Sequence, residues 1–229
     1  GNRSILSLVN ANTQCLAYST DGGQTFVKYQ HNPVVETIDP QNRDPKVVYV
    51  EELGKYLMIL YLHEAQYQML TSSDLLHWQF LQEITIHGDH ECPDIYPILC
   101  ERKRMWVISG AYHTYLVGHF TSKAFIPDGE EKRITYSDIS YASQSFSGMD
   151  DGRTVKIAWN KLKIPCAQFS QQMGVPAEMQ LEKVQDKYYL SAKPIREFEA
   201  LRAKEQILRQ FILRDTLRFD VGPNPLDVI

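Results

Sequence analysis

Long apolar runs, clustered cysteines and an excess of basic residues are all missing from this sequence of 229 residues. No apolar stretch approaches the roughly 20 residues that a membrane-spanning helix needs. The formal net charge of −4 offers no basic surface for nucleic acid. The four cysteines, Cys15, Cys92, Cys100 and Cys166, match no zinc-ligand spacing. We therefore expect free thiols, no membrane partner and no nucleic-acid partner.

Helical periodicity is also scarce before Pro194. Turn signals such as Asp21-Gly22-Gly23 and Asp151-Gly152 separate short runs that are rich in β-branched and aromatic residues. Such runs occupy residues 46–50, 56–62, 105–109 and 154–159. Runs bounded by turn residues predict short antiparallel strands joined by hairpins. The sequence therefore predicts an all-β fold.

A weak internal repeat underlies these strands. Tyr18-Ser19-Thr20-Asp21 leads to Phe26, Thr71-Ser72-Ser73-Asp74 leads to Trp78, and Phe120-Thr121-Ser122 is a fainter copy. Polar residues that open strands recur at positions 44, 91 and 141, at spacings of 47 and 50 residues. A period of this length fits four strands with their turns, which make one blade of a β-propeller. The alternative is a β-sandwich in which similar turn residues recur by coincidence.

The sequence changes character after Pro194. Ile195, Phe198 and Leu201 are spaced by three among charged residues, which predicts a short helical linker. Residues 208–221 then alternate roughly as strands do. We therefore predict a partial β-propeller at residues 1–193, and a linker with the truncated start of a β-sandwich at residues 194–229.

Two acidic motifs open strands one period apart. Arg43-Asp44-Pro45-Lys46 and Glu91-Cys92-Pro93-Asp94 each place an acid close to a proline at a strand start, where a missing N–H is tolerated. Taken singly, each acid could be a solvated surface group, as most acids are. The inner strands of a propeller converge on one axis, so the spacing predicts that Asp44 and Glu91 share one mouth. Paired carboxylates are the requirement for glycoside hydrolysis.

These motifs and their order resemble glycoside hydrolase family 32, the invertase, inulinase and levanase family. The resemblance covers nearly the whole chain and is carried by residues 16–23, 32–35, 43–47, 91–94, 141–146, 151–153 and 157–159. It implies a five-bladed β-propeller followed by a β-sandwich, with about four blades present here. It implies a retaining hydrolase that releases fructose from sucrose or from the fructans levan and inulin, with no cofactor and no metal.

The resemblance also implies roles for individual residues. Glu91 matches the acid/base, and Asp44 matches the aspartate that stabilises the transition state by holding sugar hydroxyls. Arg43, Tyr141, Gln144 and Trp159 match substrate-binding positions, although Trp159 could equally be a core aromatic. A general acid must be protonated at working pH, so we expect the pKa of Glu91 to be raised.

Two features depart from the family pattern. Nothing before Asp44 resembles the motif that carries the family's nucleophilic aspartate, since Asp21 and Asp39 belong to turn and loop sequence. His90 stands where the family frequently has an aromatic residue. We therefore expect an inactive fragment that is prone to self-association. The run from His87 to Glu91 resembles a metal cluster, but its histidine spacing is wrong for a metal-binding helix and favours simple loop histidines.

Other functions stay open at the level of sequence. The chain could be a non-catalytic carbohydrate-binding propeller, or a sister-family propeller that hydrolyses arabinan or xylan. The Glu91-Cys92-Pro93-Asp94 and Tyr141-Ala142-Ser143-Gln144 motifs argue against the sister family. The compartment is also open, with a secreted or cell-surface location favoured over a cytoplasmic one.

Overall fold

The computed structural model describes residues 4–201 of the protein, except residues 11, 136, 164, 166 and 167, and describes residues 4–10 by their backbone alone. Cys166 and the predicted start of a β-sandwich at residues 202–229 lie outside the described part of the chain. The chain divides into two compact units, one ending at Ile195 and one beginning at Arg196. In the second unit, Arg196–Leu201 forms a 3₁₀ helix, which is the short helical turn that the spacing of apolar residues predicts.

The first unit is built from strands throughout. They are β1 (Ser4–Asn10), β2 (Thr13–Ser19), β3 (Val27–Lys28), β4 (Arg43–Val50), β5 (Lys55–Tyr61), β6 (Gln66–Ser72), β7 (Gln79–Thr85), β8 (Asp94–Cys100), β9 (Lys103–Ser109), β10 (Thr114–Phe120), β11 (Phe125–Pro127), β12 (Lys132–Arg133), β13 (Ser140–Ser145), β14 (Thr154–Asn160), β15 (Gln172–Met173), β16 (Ala177–Val184) and β17 (Lys187–Pro194). No helix among the described residues is long and apolar enough to cross a membrane.

These strands form four antiparallel sheets, each of which is a propeller blade. Their orders are β1-β2-β3, β4-β5-β6-β7, β8-β9-β10-β11 with β12 beside β10, and β13-β14-β16-β17 with β15 beside β14. Strands that follow one another along the chain mostly pair, because short turns favour antiparallel neighbours. The prediction of an all-β propeller with about four blades is confirmed.

The repeated sequence motif forms the turn after equivalent strands of two successive blades. The side chain of Asp21, after β2, accepts hydrogen bonds from the backbone N–H groups of Gln24 and Thr25. The side chain of Asp74, after β6, does the same for Leu76 and His77. Strands β1, β2 and β3 therefore correspond to β5, β6 and β7, while β4, β8 and β13 are the first strands of their blades.

Apolar side chains fill the space between neighbouring blades. The second and third blades share a core in which Leu57 and Ile59 of β5 lie with Ile95 and Trp106. The third and fourth blades share another, where side chains from β8 to β10 meet Met179 and Leu181 of β16. Face-to-face packing of this kind brings the first strands together, and β8 contacts both β4 and β13.

Candidate active site

The three first strands begin with a distorted backbone at the place where they meet. Asp44, Glu91 and Ala142 have φ of 59°, 52° and 51°, which are left-handed values unusual for residues other than glycine. The pairing register also shifts between Arg43 and Lys46 on β4, and between Tyr141 and Gln144 on β13. Bulges of this kind re-aim side chains, so the distortions turn the predicted site residues toward one another.

Glu91 lies at the centre of the cluster. Arg43 Nη2 donates to Glu91 Oε1 at 2.5 Å, and the Tyr141 hydroxyl donates to Glu91 Oε2. His90 Nε2 lies 3.7 Å from the same Oε2 atom. The Glu91 side chain keeps 28% of its surface exposed, so it remains reachable from solvent.

The expected rise in the pKa of Glu91 is wrong for this arrangement. Partial burial alone would raise the pKa, but hydrogen bonds from Tyr141 and Arg43, together with the charge of Arg43, outweigh burial and lower it. Burial and the bond to Glu91 raise the pKa of Tyr141, so its hydroxyl stays a proton donor. Glu91 is consequently held as a carboxylate by its two neighbours.

Asp44 lies beside the same arginine. Cys92 donates to Asp44 Oδ2 through its backbone N–H at 3.1 Å and its thiol at 3.6 Å, and Arg43 Nε lies 3.9 Å away. Burial and the adjacent Asp44 carboxylate raise the pKa of Cys92 to about 12, which keeps the thiol protonated as a donor. Arg43 therefore bridges the two acids, and its guanidinium also lies 4.5 Å from the centre of the Tyr61 ring.

The other predicted binding residues surround this pair. Gln144 donates from its amide nitrogen to the carbonyls of Cys92 and Pro93, at 3.3 and 3.2 Å, and so supports the loop that carries Glu91. Trp159 stands edge-on to Tyr141, with ring centres 5.9 Å apart. Trp159 is 38% exposed, so it belongs to the rim of the site and is not a core aromatic.

Sequence reasoning missed several residues at this site. Tyr61 supports Arg43, and Tyr112 packs on both His90 and Tyr141 with ring centres 5.0 Å apart in each case. Lys161 lies 4.0 Å from the centre of the Tyr141 ring. The register that pairs Arg43 with Tyr61 could have identified Tyr61. His90 packs as an aromatic ring, which fits its place at a position where the resemblance predicts an aromatic residue.

The remaining acids and histidines weighed at the level of sequence lie elsewhere. Asp21 is held in the turn after β2, and Asp39 pairs with His63 at 2.9 Å. His87 bonds to Glu131 at 3.0 Å and is not grouped with His90. Within the described residues, no group of three or more His, Cys, Asp or Glu side chains is arranged to hold a metal.

Comparison with known proteins identifies the family. Residues 4–194 match the model described as glycosyl hydrolases family 32 N-terminal domain. The chain is 32% identical over 165 residues to an extracellular exo-inulinase of Meyerozyma guilliermondii, covering 64% of this chain and 32% of that protein. It is 30% identical over 223 residues to a levanase of Bacillus sp. (strain L7), covering 82% of this chain and 24% of that protein.

A solved structure is also similar to this chain. The β-fructofuranosidase of Schwanniomyces occidentalis complexed with fructosyl-erythritol superposes with a TM-score of 0.71 at 26% identity, covering 84% of this chain and 43% of that one. The chain spans about a third or less of the two curated relatives just named.

Proposed function

We propose, because this chain belongs to glycosyl hydrolases family 32, that the whole protein releases fructose from sucrose or from a fructan such as levan or inulin. The reaction class is retaining hydrolysis of a fructosyl bond by two carboxylates. The observation that carries the proposal is the cluster in which Arg43 bridges Glu91 and Asp44 at the meeting point of the blades.

Glu91 is proposed as the acid/base. It would give a proton to the oxygen that leaves fructose, and then accept a proton from the attacking water. Its contacts with Arg43 and Tyr141 favour the ionised form. A substrate that draws the Arg43 guanidinium toward its own hydroxyls would weaken the ion pair and allow Glu91 to take up a proton.

Asp44 and the aromatic rim are proposed to hold the sugar. A carboxylate accepts hydrogen bonds from sugar hydroxyls, and the Cys92 N–H and thiol fix the orientation of Asp44. Arg43, Tyr141, Gln144 and Trp159 complete the proposed binding set. Asp21 is hydrogen-bonded within a turn, and Asp39 is hydrogen-bonded to His63. We therefore propose that the nucleophile comes from outside the described residues.

The relatives support the proposed substrate class and the proposed location. An exo-inulinase and a levanase are among them, and the related β-fructofuranosidase structure holds fructosyl-erythritol, which supports a fructosyl substrate. One relative is an extracellular exo-inulinase, which supports secretion. A sister-family activity on arabinan or xylan loses its support, because the chain belongs to family 32.

The test is Glu91→Gln in the full-length protein. We expect fructose release from sucrose, levan and inulin to fall by about 10²–10⁴-fold, because the proton donor is lost while the shape is kept. Asp44→Asn should also be severe, since it weakens contacts made in the transition state. Initial rates of fructose release measure both effects.

Glu83→Gln on the outer strand β7 is the matched control, and its rates should equal those of the unchanged protein. Activity of Glu91→Gln within about threefold of the unchanged protein would contradict the acid/base assignment. An unchanged full-length protein that binds levan and releases no fructose would instead favour a non-catalytic carbohydrate-binding propeller.

A further inference from the structure

A buried ion network begins two to three residues after the two acids of the site, on the strands that these acids open. Its centre is Asp94, whose side chain is completely buried. Lys46 Nζ lies 3.3 Å from Asp94 Oδ1, and Lys156 Nζ lies 3.0 Å from Asp94 Oδ2. Ser145 donates to Asp94 through its backbone N–H at 2.9 Å and through its hydroxyl at 2.8 Å. We call these four residues the Asp94 network.

The network joins three blades. Lys46 belongs to β4, Asp94 to β8, Ser145 to β13 and Lys156 to β14. Further bonds tighten it, because Lys46 Nζ donates to the Ser145 carbonyl at 2.8 Å and Lys156 Nζ lies 3.1 Å from Ser109 Oγ. A charged group that leaves this network would be buried without a partner, so each blade is held in place by the other two.

Each first strand enters the network just after its left-handed residue. Lys46 follows Asp44 by two positions, Asp94 follows Glu91 by three, and Ser145 follows Ala142 by three. Left-handed conformations of residues other than glycine cost free energy, and they persist only where the surrounding contacts over-determine them. The Asp94 network supplies such contacts two to three residues after each of the three left-handed residues.

A need to hold the three blades together does not by itself explain why the Asp94 network consists of charged residues. Well-packed apolar side chains of similar size often stabilise a protein as well as buried ions do. Two lysines against one aspartate leave an excess positive charge in the interior, beside segments that carry two acids. Directional bonds from three strands to one buried carboxylate can instead fix how those strands are placed relative to one another.

We propose that the Asp94 network is a positioning device that fixes the separation and orientation of Asp44 and Glu91. This inference deepens the proposed function and rests on it. Asp94, Lys46 and Lys156 act through the backbone of the site and have no contact with substrate in this role.

The test is Lys46→Met and Lys156→Met, made separately in the full-length protein. Each change leaves one lysine on Asp94, so each variant keeps a one-to-one ion pair. We expect kcat on sucrose or inulin to fall about 10–100-fold with KM nearly unchanged, because small misplacements of catalytic groups are costly.

The triple variant Lys46→Met, Asp94→Asn and Lys156→Met covers the case in which a single variant fails to fold, since it removes all three buried charges together. Lys183→Met is the matched control, because it breaks an ion pair at the surface, 2.8 Å from Asp186. The control should change neither kcat nor KM. Variants that only melt at a lower temperature, with kcat unchanged, would overturn the positioning role.

A second measurement separates this inference from the proposed function. The N–H group of Cys92 donates to Asp44, so its hydrogen exchange reports the geometry of the site without any turnover. In the full-length protein, Lys156→Met should accelerate exchange at Cys92 by about tenfold or more and leave β5 amides unchanged. An inactive full-length protein would overturn the proposed function, and unchanged exchange at Cys92 would overturn the network.

Discussion

At the scale of single residues, two neighbours determine the ionisation of Glu91. Removing the Tyr141 hydroxyl by Tyr141→Phe deletes a bond that favours the carboxylate, so the pKa of Glu91 should rise. A carboxyl-carbon NMR titration of the chain measures this directly. Tyr49→Phe is the control, because Tyr49 is 52% exposed on β4 and should leave the titration of Glu91 unchanged. A pKa of Glu91 that stays constant or falls in Tyr141→Phe would contradict the assignment.

The lowered pKa of Glu91 also has a consequence for stability. A carboxyl group whose pKa is lower in the folded chain stabilises folding above its unfolded value, and this contribution disappears as pH falls through the folded value. The group is partly exposed, so solvent screening makes the contribution small. Acidification through this range should therefore reduce the free energy of unfolding only slightly through Glu91.

Sequence analysis predicted that Asp44 and Glu91 would lie close together, but it did not predict the hydrogen bonds and ion pairs that they make. The spacing of the two acidic motifs, combined with the period of a blade, predicted that Asp44 and Glu91 share a mouth. It could not predict that Arg43 would lie between them, because this depends on the left-handed backbone at Asp44 and on a register shift in β4. The contact of Tyr112 with Tyr141 was equally hidden, since it joins residues of different blades.

At the scale of elements, the turn between β9 and β10 buries a histidine. His113 Nδ1 lies 3.1 Å from Ser143 Oγ, while Nε2 is buried and has no hydrogen-bond partner among the described residues. Burial and the nearby charge of Lys156 lower the pKa of His113 to about 4. The folded chain therefore keeps His113 neutral at pH values where the unfolded chain, with a pKa of about 6.5, is protonated.

This difference predicts how stability depends on pH. The unfolded chain binds the extra proton, so the free energy of unfolding should fall as pH decreases from about 6.5 to about 4, by up to roughly 3 kcal/mol. His113→Asn should remove much of this slope, because asparagine tolerates the φ of 67° at this position and does not titrate. Urea unfolding at about pH 7.5 and about pH 4.5 compares the two chains.

The control for this experiment is His77→Asn, since the His77 side chain is 84% exposed. It should leave nearly all of the slope in place. An equal slope in His113→Asn and in the unchanged chain would show that the acid sensitivity originates in other groups.

Strands were predictable where apolar runs were long, and bulges were not. The run that forms β5 is apolar on both faces, and its Leu57, Met58, Ile59 and Leu60 are all buried, which suits a central strand. The two-residue strands β3, β12 and β15 carry no such pattern. These short strands form because neighbouring strands offer backbone hydrogen-bond partners. Only the assembled sheet provides those partners, so the sequence does not reveal them.

At the scale of the whole molecule, the first blade differs from the others. Its β1 pairs only with β2 among the described residues, whereas the corresponding strand β5 lies between β4 and β6. A cleft of about 380 Å³ lies between the first two blades and is lined mainly by apolar residues, including Leu16, Val47, Met58 and Trp78. An unpaired strand edge beside an apolar cleft favours association between molecules.

We therefore predict that the isolated chain self-associates. Light scattering on a size-exclusion column should give a mass well above the 26.5 kDa of one chain. In the same preparation we expect no release of fructose from sucrose or levan, since a proton donor alone cannot displace the leaving group. A monodisperse species of single-chain mass would contradict the first expectation. Turnover at an ordinary enzymatic rate would contradict the second, and would direct attention to Asp21 and Asp39.

The left-handed backbone of the site has a consequence for laboratory evolution. Glycine adopts such φ values without strain, so a change such as Ala142→Gly relieves a conformational cost that the native chain bears. Selection for heat resistance alone would therefore accept substitutions that relax this segment. The same substitutions would loosen the entry of β13, which carries Tyr141 and Gln144. Variants selected in this way would resist heat better but release fructose more slowly. A selection for variants that are both stable and active therefore has to measure fructose release as well as heat resistance.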